Sequence, residues 1–142
     1  MLILVTGGSG SGKSEFAEGL VLQLRTKPYL YIATMYPFDE ECHRRIARHR
    51  AMRREKEFDT LECYTGLKNI HAEGYGTALL ECMSNLTANE MYQEGGAKDR
   101  CVEEIMEGIR AVQEQCGHLV VEVVYSIPVV HKGNLEKVKW TG

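Results

Sequence analysis

The sequence predicts an α/β fold, a mostly parallel sheet with helices on both faces, and three observations carry that prediction. An apolar run, Leu2 to Val5, leads straight into the glycine-rich string Thr6-Gly7-Gly8-Ser9-Gly10-Ser11-Gly12-Lys13-Ser14. Short β-branched or aromatic runs then recur along the chain, and longer segments of helical periodicity separate them. Strands that alternate with helices build parallel sheets, because each crossover returns the chain to the same end of the sheet while its helix covers a face.

The first run reads as a buried strand that delivers a phosphate-binding loop of the form G-x-x-x-x-G-K-S. Gly7, Gly8, Gly10 and Gly12 let the backbone turn sharply, and together with Ser9 and Ser11 they bring N–H groups against phosphate oxygens where a Cβ would intrude. Lys13 supplies a point charge for the β- and γ-phosphates, and the Ser14 hydroxyl is placed to ligate Mg²⁺. The helix from about Lys13 to Leu24 aims its positive end at the same anion. Strand before and helix after are the context this pattern requires, which makes the fold P-loop NTPase-like. The bland alternative is a glycine-rich turn that only resembles such a loop.

The remaining elements follow in order. Tyr29 to Ala33 is a short apolar strand. Asp39 to about Arg54 is a helix, acidic in its first turn and rich in arginine later, as the helix dipole prefers. Thr60 to Cys63 is a short strand and Thr77 to Cys82 a core strand. Asn85 to Gln93 is helical and stops at Gly95-Gly96. Lys98 to Gln115 places Val102, Ile105, Met106, Ile109 and Val112 on one helical face. Leu119 to Tyr125 and Ile127 to Val130 are strand-like, and Gly133 to Gly142 reads as a loosely held tail. Ligand is expected at the carboxyl ends of the strands, beside the phosphate loop.

At 142 residues the chain has the length of a single domain, 44% apolar and 26% charged. A net charge of −3 argues against nucleic acid as the partner. No run approaches the ~20 apolar residues of a membrane span, and no secretory leader precedes the first strand, so the expected location is cytoplasmic. Five cysteines without C-x-x-C spacing read as reduced thiols rather than a zinc site or disulfides.

A second constellation lies at 43 to 56, where His43, Arg44, Arg45, Arg48, His49, Arg50, Arg53, Arg54 and Lys56 crowd one helix. A solvated basic face is the ordinary explanation, and nucleic-acid binding lacks interleaved aromatics. The third reading is that this helix handles the triphosphate. Arg45, His49 and Arg53 share a face at i, i+4 and i+8. A histidine among cations is held neutral and nucleophilic, while the guanidinium groups neutralise charge on an attacked phosphate.

Together V-T-G-G-x-x-S-G-K-S at 5 to 14, Y-I-A-T at 31 to 34, R-I-x-x-H-R at 45 to 50, L-E-C at 61 to 63 and L-L-E-C at 79 to 82 resemble the bifunctional adenosylcobinamide kinase/adenosylcobinamide-phosphate guanylyltransferase family of cobalamin biosynthesis. The resemblance covers about residues 1 to 116. It implies phosphorylation of adenosylcobinamide by ATP or GTP, then attack of a histidine on the α-phosphate of GTP. The resulting GMP-histidine passes GMP to adenosylcobinamide phosphate, giving adenosylcobinamide-GDP. The family's guanylylated histidine falls on His49. By the same resemblance Ile32, Ala33 and Thr34 form a second nucleotide-contact segment, Glu62 lies near the guanine, and Glu81 belongs to the nucleotide site. Arg50 and Arg53 are further triphosphate contacts. The implied assembly is a homotrimer, with Mg²⁺ as cofactor.

The carboxyl-terminal part departs from the family pattern. Val120-Val121 runs directly into Glu122 and on to Lys132, a stretch that resembles the family's final strand, as though one strand-loop-helix unit were missing and the ends fused. Such a loss would uncover one face or edge of the sheet and weaken one or both activities. Two alternatives therefore stand beside the bifunctional enzyme. One is a small-molecule P-loop kinase without a covalent intermediate, and the other a nucleotide-binding remnant with little turnover.

Overall fold

The computed structural model describes residues 1–8 and 12–124, without the side chain of Val124. Ser9, Gly10 and Ser11 of the loop lie outside the described residues, as do the expected strand at Ile127 to Val130, the tail, and most of the stretch in which the fusion was read. The elements run β1 (Leu2–Gly7), α1 (Lys13–Leu24), β2 (Tyr29–Ala33), α2 (Glu40–Glu55), β3 (Phe58–Glu62), β4 (Thr77–Leu80), α3 (Met83–Tyr92), α4 (Cys101–Gln115) and β5 (His118–Val124). Short 3₁₀ turns at Leu67–Asn69 and Lys98–Arg100 were not anticipated; the first follows the left-handed Gly66, which turns the chain after β3.

The five strands form one sheet in the order β1-β5-β4-β2-β3, and every pairing among them is parallel. Alternate side chains point to opposite faces. Val5, Tyr29, Tyr31, Ala33, Leu79 and Val120 pack against Ala17 and Val21 of α1. Leu30, Ile32, Ala78, Leu80, Leu119 and Val121 pack on the other side with Leu86 of α3 and Ile105, Ile109 and Val112 of α4. Helices therefore cover both faces, as the alternation of elements required.

Two expectations need correction. β1 is not buried on both sides: Val5 is 3% exposed, but Leu2 is 41% and Leu4 58% exposed. The reason is position, since β1 is the edge strand of the described sheet and α3 and α4 lie over its interior. The apolar stripe of α4 is also narrower than its periodicity implies. Cys101, Ile105, Gly108, Ile109 and Val112 are buried, whereas Val102 and Met106 remain exposed. Gly108 explains the close fit, because a Cβ there would lie 2.7 Å from the Cβ of Leu67.

α2 is held by local chemistry more than by burial. The Asp39 side chain caps it by accepting from the Cys42 N–H at 2.7 Å, Glu40 and Glu41 occupy its first turn, and Arg53 and Arg54 its last. Arg53 is its buried residue. All five cysteines are free thiols. Cys82 has a structural task, its sulfur accepting from the Asn85 N–H at the start of α3.

Candidate functional site

The carboxyl ends of β1, β5, β4 and β2 converge on the start of α1. Gly12 has φ +83°, a left-handed conformation open to glycine, and among the described residues no side chain caps the helix it precedes. The first N–H groups of α1 are thus left for a ligand, the arrangement that binds anions at helix N-termini. Lys13, 10% exposed at its side chain, lies 3.9 Å from Glu122 Oε1, and the Ser14 hydroxyl donates to the same oxygen at 3.0 Å.

α2 reaches this place from the edge strand β3. The guanidinium of Arg53 sits over the ring of Tyr31, 3.8 Å from its centroid. Burial pushes the pKa of the neighbouring Glu81 carboxyl group up, while Arg53, Tyr31 and Lys13 pull it back. One turn before Arg53, His49 lines a cleft of about 200 Å³ with Ser14, Glu15, Glu18, Tyr31, Met52, Arg53 and Lys56. It also lines a second, narrower recess with Ala33, Met35, Ile46, Arg53, Glu62 and Glu81. The pKa of His49 is lowered, by burial first and then by Arg53, Arg48 and Arg45, with Glu18 pulling the other way. The shift has the direction that the flanking cations require; His49 is itself exposed, so Arg53, Arg48 and Arg45 are its firmer cause.

The other predicted residues divide. Arg50 pairs with Glu62 Oε1, and Glu62 Oε2 accepts from the Tyr64 hydroxyl at 3.0 Å. Ala33 and Glu81 face the recess beside His49. Ile32 does not: its side chain is fully buried among the residues that pack on α3 and α4, across the sheet from His49. In a strand, neighbours point to opposite faces, so Ile32 and Ala33 cannot both present side chains to one cleft. Thr34 is fully buried as well, its hydroxyl donating to the Cys82 carbonyl at 3.1 Å, which commits it to tying β2 to β4. A wider open groove of about 550 Å³ runs along β3 past Arg50, Arg54 and Glu62, but no described residue of the phosphate loop lines it.

Two residues with a part in this geometry, Tyr31 of the Y-I-A-T motif and Glu122, were given no site role by the sequence reading. Tyr31 looked like one more apolar residue of a core strand. Glu122 carried a signal, an acid inside the β-branched run Leu119 to Val124, but its strand neighbours were unknown. A magnesium ion suits the oxygens present. Mg²⁺ is usually held by one or two carboxylates together with substrate phosphates. Ser14 and Glu81 offer such donors, and among the described residues no group of three or more His, Cys, Asp or Glu forms a self-sufficient cage.

The family model described as cobinamide kinase / cobinamide phosphate guanyltransferase matches residues 3–131. The bifunctional adenosylcobalamin biosynthesis protein CobU of Escherichia coli K12 is 41% identical over 102 residues, 70% of this chain and 55% of that protein. Its counterpart from Salmonella typhimurium LT2 is 36% identical over 102 residues, with the same coverage. The match thus spans about half the length of these curated relatives. The family model covers most of the chain, and the chain belongs to the cobinamide kinase / cobinamide phosphate guanyltransferase family.

Proposed function

We propose that the protein phosphorylates adenosylcobinamide with ATP or GTP, and then transfers GMP from GTP to adenosylcobinamide phosphate through a GMP-histidine formed on His49. The observation that carries this reading is that His49 and Ser14 line one cleft. A triphosphate lying on the N-terminus of α1 would extend from the loop toward the imidazole, so one bound nucleotide lies within reach of two displacements.

In the first, Lys13 and the N–H groups at the start of α1 hold the β- and γ-phosphates while the substrate hydroxyl attacks the γ-phosphorus; the bond to the bridging oxygen breaks, the nucleoside diphosphate leaves and the hydroxyl proton passes to solvent. In the second, the neutral imidazole of His49 forms a bond to the α-phosphorus and pyrophosphate leaves. The phosphate of adenosylcobinamide phosphate then attacks the same phosphorus, and the histidine nitrogen departs with its electron pair. Arg53, and Arg50 once released from Glu62, supply positive charge to the phosphoryl oxygens. Mg²⁺, bound with the nucleotide at Ser14 and Glu81, would supply charge neutralisation. Glu62 remains the proposed acceptor for the guanine N–H groups. Of the second segment, Ala33 lies at the recess, while Ile32 and Thr34 have backbone atoms alone to offer. A homotrimer and a cytoplasmic location belong to this proposal on family resemblance; no described helix is long and apolar enough to cross a membrane.

Incubation with Mg²⁺ and GTP labelled on the α-phosphate tests it. The expected product is an acid-labile, alkali-stable protein adduct that His49→Ala abolishes. Label retained by His49→Ala would move the nucleophile elsewhere. Phosphoryl transfer without any adduct would leave a P-loop kinase, and binding without either reaction a nucleotide-binding remnant. Sedimentation of the purified chain reads the trimer.

A further inference from the structure

Three aromatic rings stand together at the surface where β2 and β3 end. Tyr36 lies 5.0 Å from Phe38 and 5.1 Å from Tyr64 between ring centroids, with the planes inclined by 50° and 66°. Phe38 is 78% exposed and Tyr36 39%. Pro37 between them has its φ fixed by its ring, which narrows the ways in which this loop can present its neighbours. The cluster borders the His49 recess at two points. Met35, the residue before Tyr36, lines that recess, and the Tyr64 hydroxyl donates to Glu62, which lines it too. Beyond Phe38 the chain runs into Asp39, Glu40 and Glu41, three exposed acids at the start of α2.

Exposed apolar groups gathered beside a site mark a surface that a ligand covers. A nucleobase is a poor match. One purine needs a single ring face or a slot between parallel rings, whereas these three rings are steeply inclined and form a broader, cupped surface. The acids alongside also repel the phosphates that a base carries. Resting on the function proposed above, we propose that Tyr36, Phe38 and Tyr64 form the platform on which the corrin macrocycle of adenosylcobinamide docks. The macrocycle is broad, puckered and largely apolar on its faces, so it suits edge and face contacts from inclined rings. With its cobalt and adenosyl group it carries a net positive charge, which the acids from Asp39 to Glu41 complement. A macrocycle seated here extends its aminopropanol arm past Glu62 toward His49 and the nucleotide. The charges are thereby divided, acids beside the cationic ring and arginines around the phosphates. One seat then serves both displacements, because the arm reacts twice while the ring stays docked.

The test is equilibrium dialysis of adenosylcobinamide, read by its visible absorbance, against the unsubstituted chain and its variants. Combining Tyr36→Ala with Phe38→Ala removes two of the three rings. The expected result is a loss of corrinoid affinity of about tenfold or more. Affinity for the α,β-methylene analogue of GTP should stay that of the unsubstituted chain. Phe38→Ala alone, at a side chain that lies mostly in solvent, provides the comparison if the double variant does not fold. Glu40→Gln with Glu41→Gln should weaken corrinoid binding about two- to threefold at low salt, and the difference should fade as salt is raised. Equal losses for the analogue and the corrinoid would assign the rings to the nucleobase and overturn the inference alone. Unchanged corrinoid affinity in the ring variants would do the same, and an altered sedimentation coefficient would then assign the rings to a second copy of the chain. An unsubstituted chain that binds the analogue but no adenosylcobinamide would overturn the proposed function and this inference with it.

Discussion

The guanidinium of Arg53 rests on the ring of Tyr31, 3.8 Å from its centroid, and this contact docks α2 against the sheet. Arg53 is 5% exposed in a helix whose other residues are largely solvated. A desolvated cation–π pair of this kind contributes about 2 kcal/mol. Its loss should therefore be felt one turn away, at His49. Tyr31→Leu keeps an apolar side chain on β2 but removes the aromatic face under Arg53. We expect formation of the GMP adduct to slow by about tenfold or more, in line with that energy. Quench-flow measurement of adduct formation checks it, and an unchanged rate would mean that α2 is positioned by something else.

Protonation of His49 should set the acid limb of the same reaction. The neutral imidazole is the nucleophile, so the rate rises with pH through the histidine pKa and then levels. Since that pKa lies below its ordinary value of 6.5, the plateau is reached at lower pH than a free histidine would allow. Arg48 is one of the cations that hold it down, and it is exposed. Arg48→Gln removes a like charge, raises the His49 pKa and moves the acid limb to higher pH. Single-turnover rates from pH 5 to 8 for both proteins decide the point, and a shift to lower pH in the variant would contradict the electrostatic account.

The core on the α1 face centres on three rings. Phe58 is 2% exposed and packs against Tyr29 at 5.5 Å and against Tyr31 edge-on at 6.0 Å between centroids. Truncation of such a side chain costs ~3–5 kcal/mol from lost transfer energy and the cavity left behind. Phe58→Ala should lower the urea midpoint accordingly, and a loss below about 1 kcal/mol would show that β3 is not an integral part of the core.

At Gly108 two effects oppose one another. Alanine is the better helix former by about 1 kcal/mol, so propensity alone favours Gly108→Ala. The new methyl group would meet the Cβ and Cγ of Leu67 at 2.7 and 2.9 Å, too close without moving the 3₁₀ turn. Overpacking of this kind costs ~1–3 kcal/mol, and the net change should be destabilising. A raised melting temperature would indicate that the turn at Leu67–Asn69 yields easily.

Much of this was legible in the order of residues. The phosphate loop announces itself because glycine, lysine and serine at fixed spacing are needed by one short backbone path. The helix that carries His49 is marked by its Asp39 cap and its graded charge, both of which the structure retains. The stripe on α4 was read too wide, since periodicity identifies a helical face without saying how much of it a neighbour covers. Ile32 was grouped with Ala33 and Thr34 by family resemblance, which names a segment; the pleat sends the Ile32 and Ala33 side chains to opposite sides of the sheet.

The sequence by itself determined the succession of strands and helices, the phosphate loop and the histidine helix, because these depend on signals within a few residues of one another. Only the tertiary structure decided that β5 lies between β1 and β4, and from that order follow the burial of Glu122 beside Val5 and its bond to Ser14. It likewise decided that Arg53 crosses from α2 to cover Tyr31 on β2. The physical reason is that strand order is set by how the crossover helices pack on the two faces, a long-range choice that local periodicity does not encode.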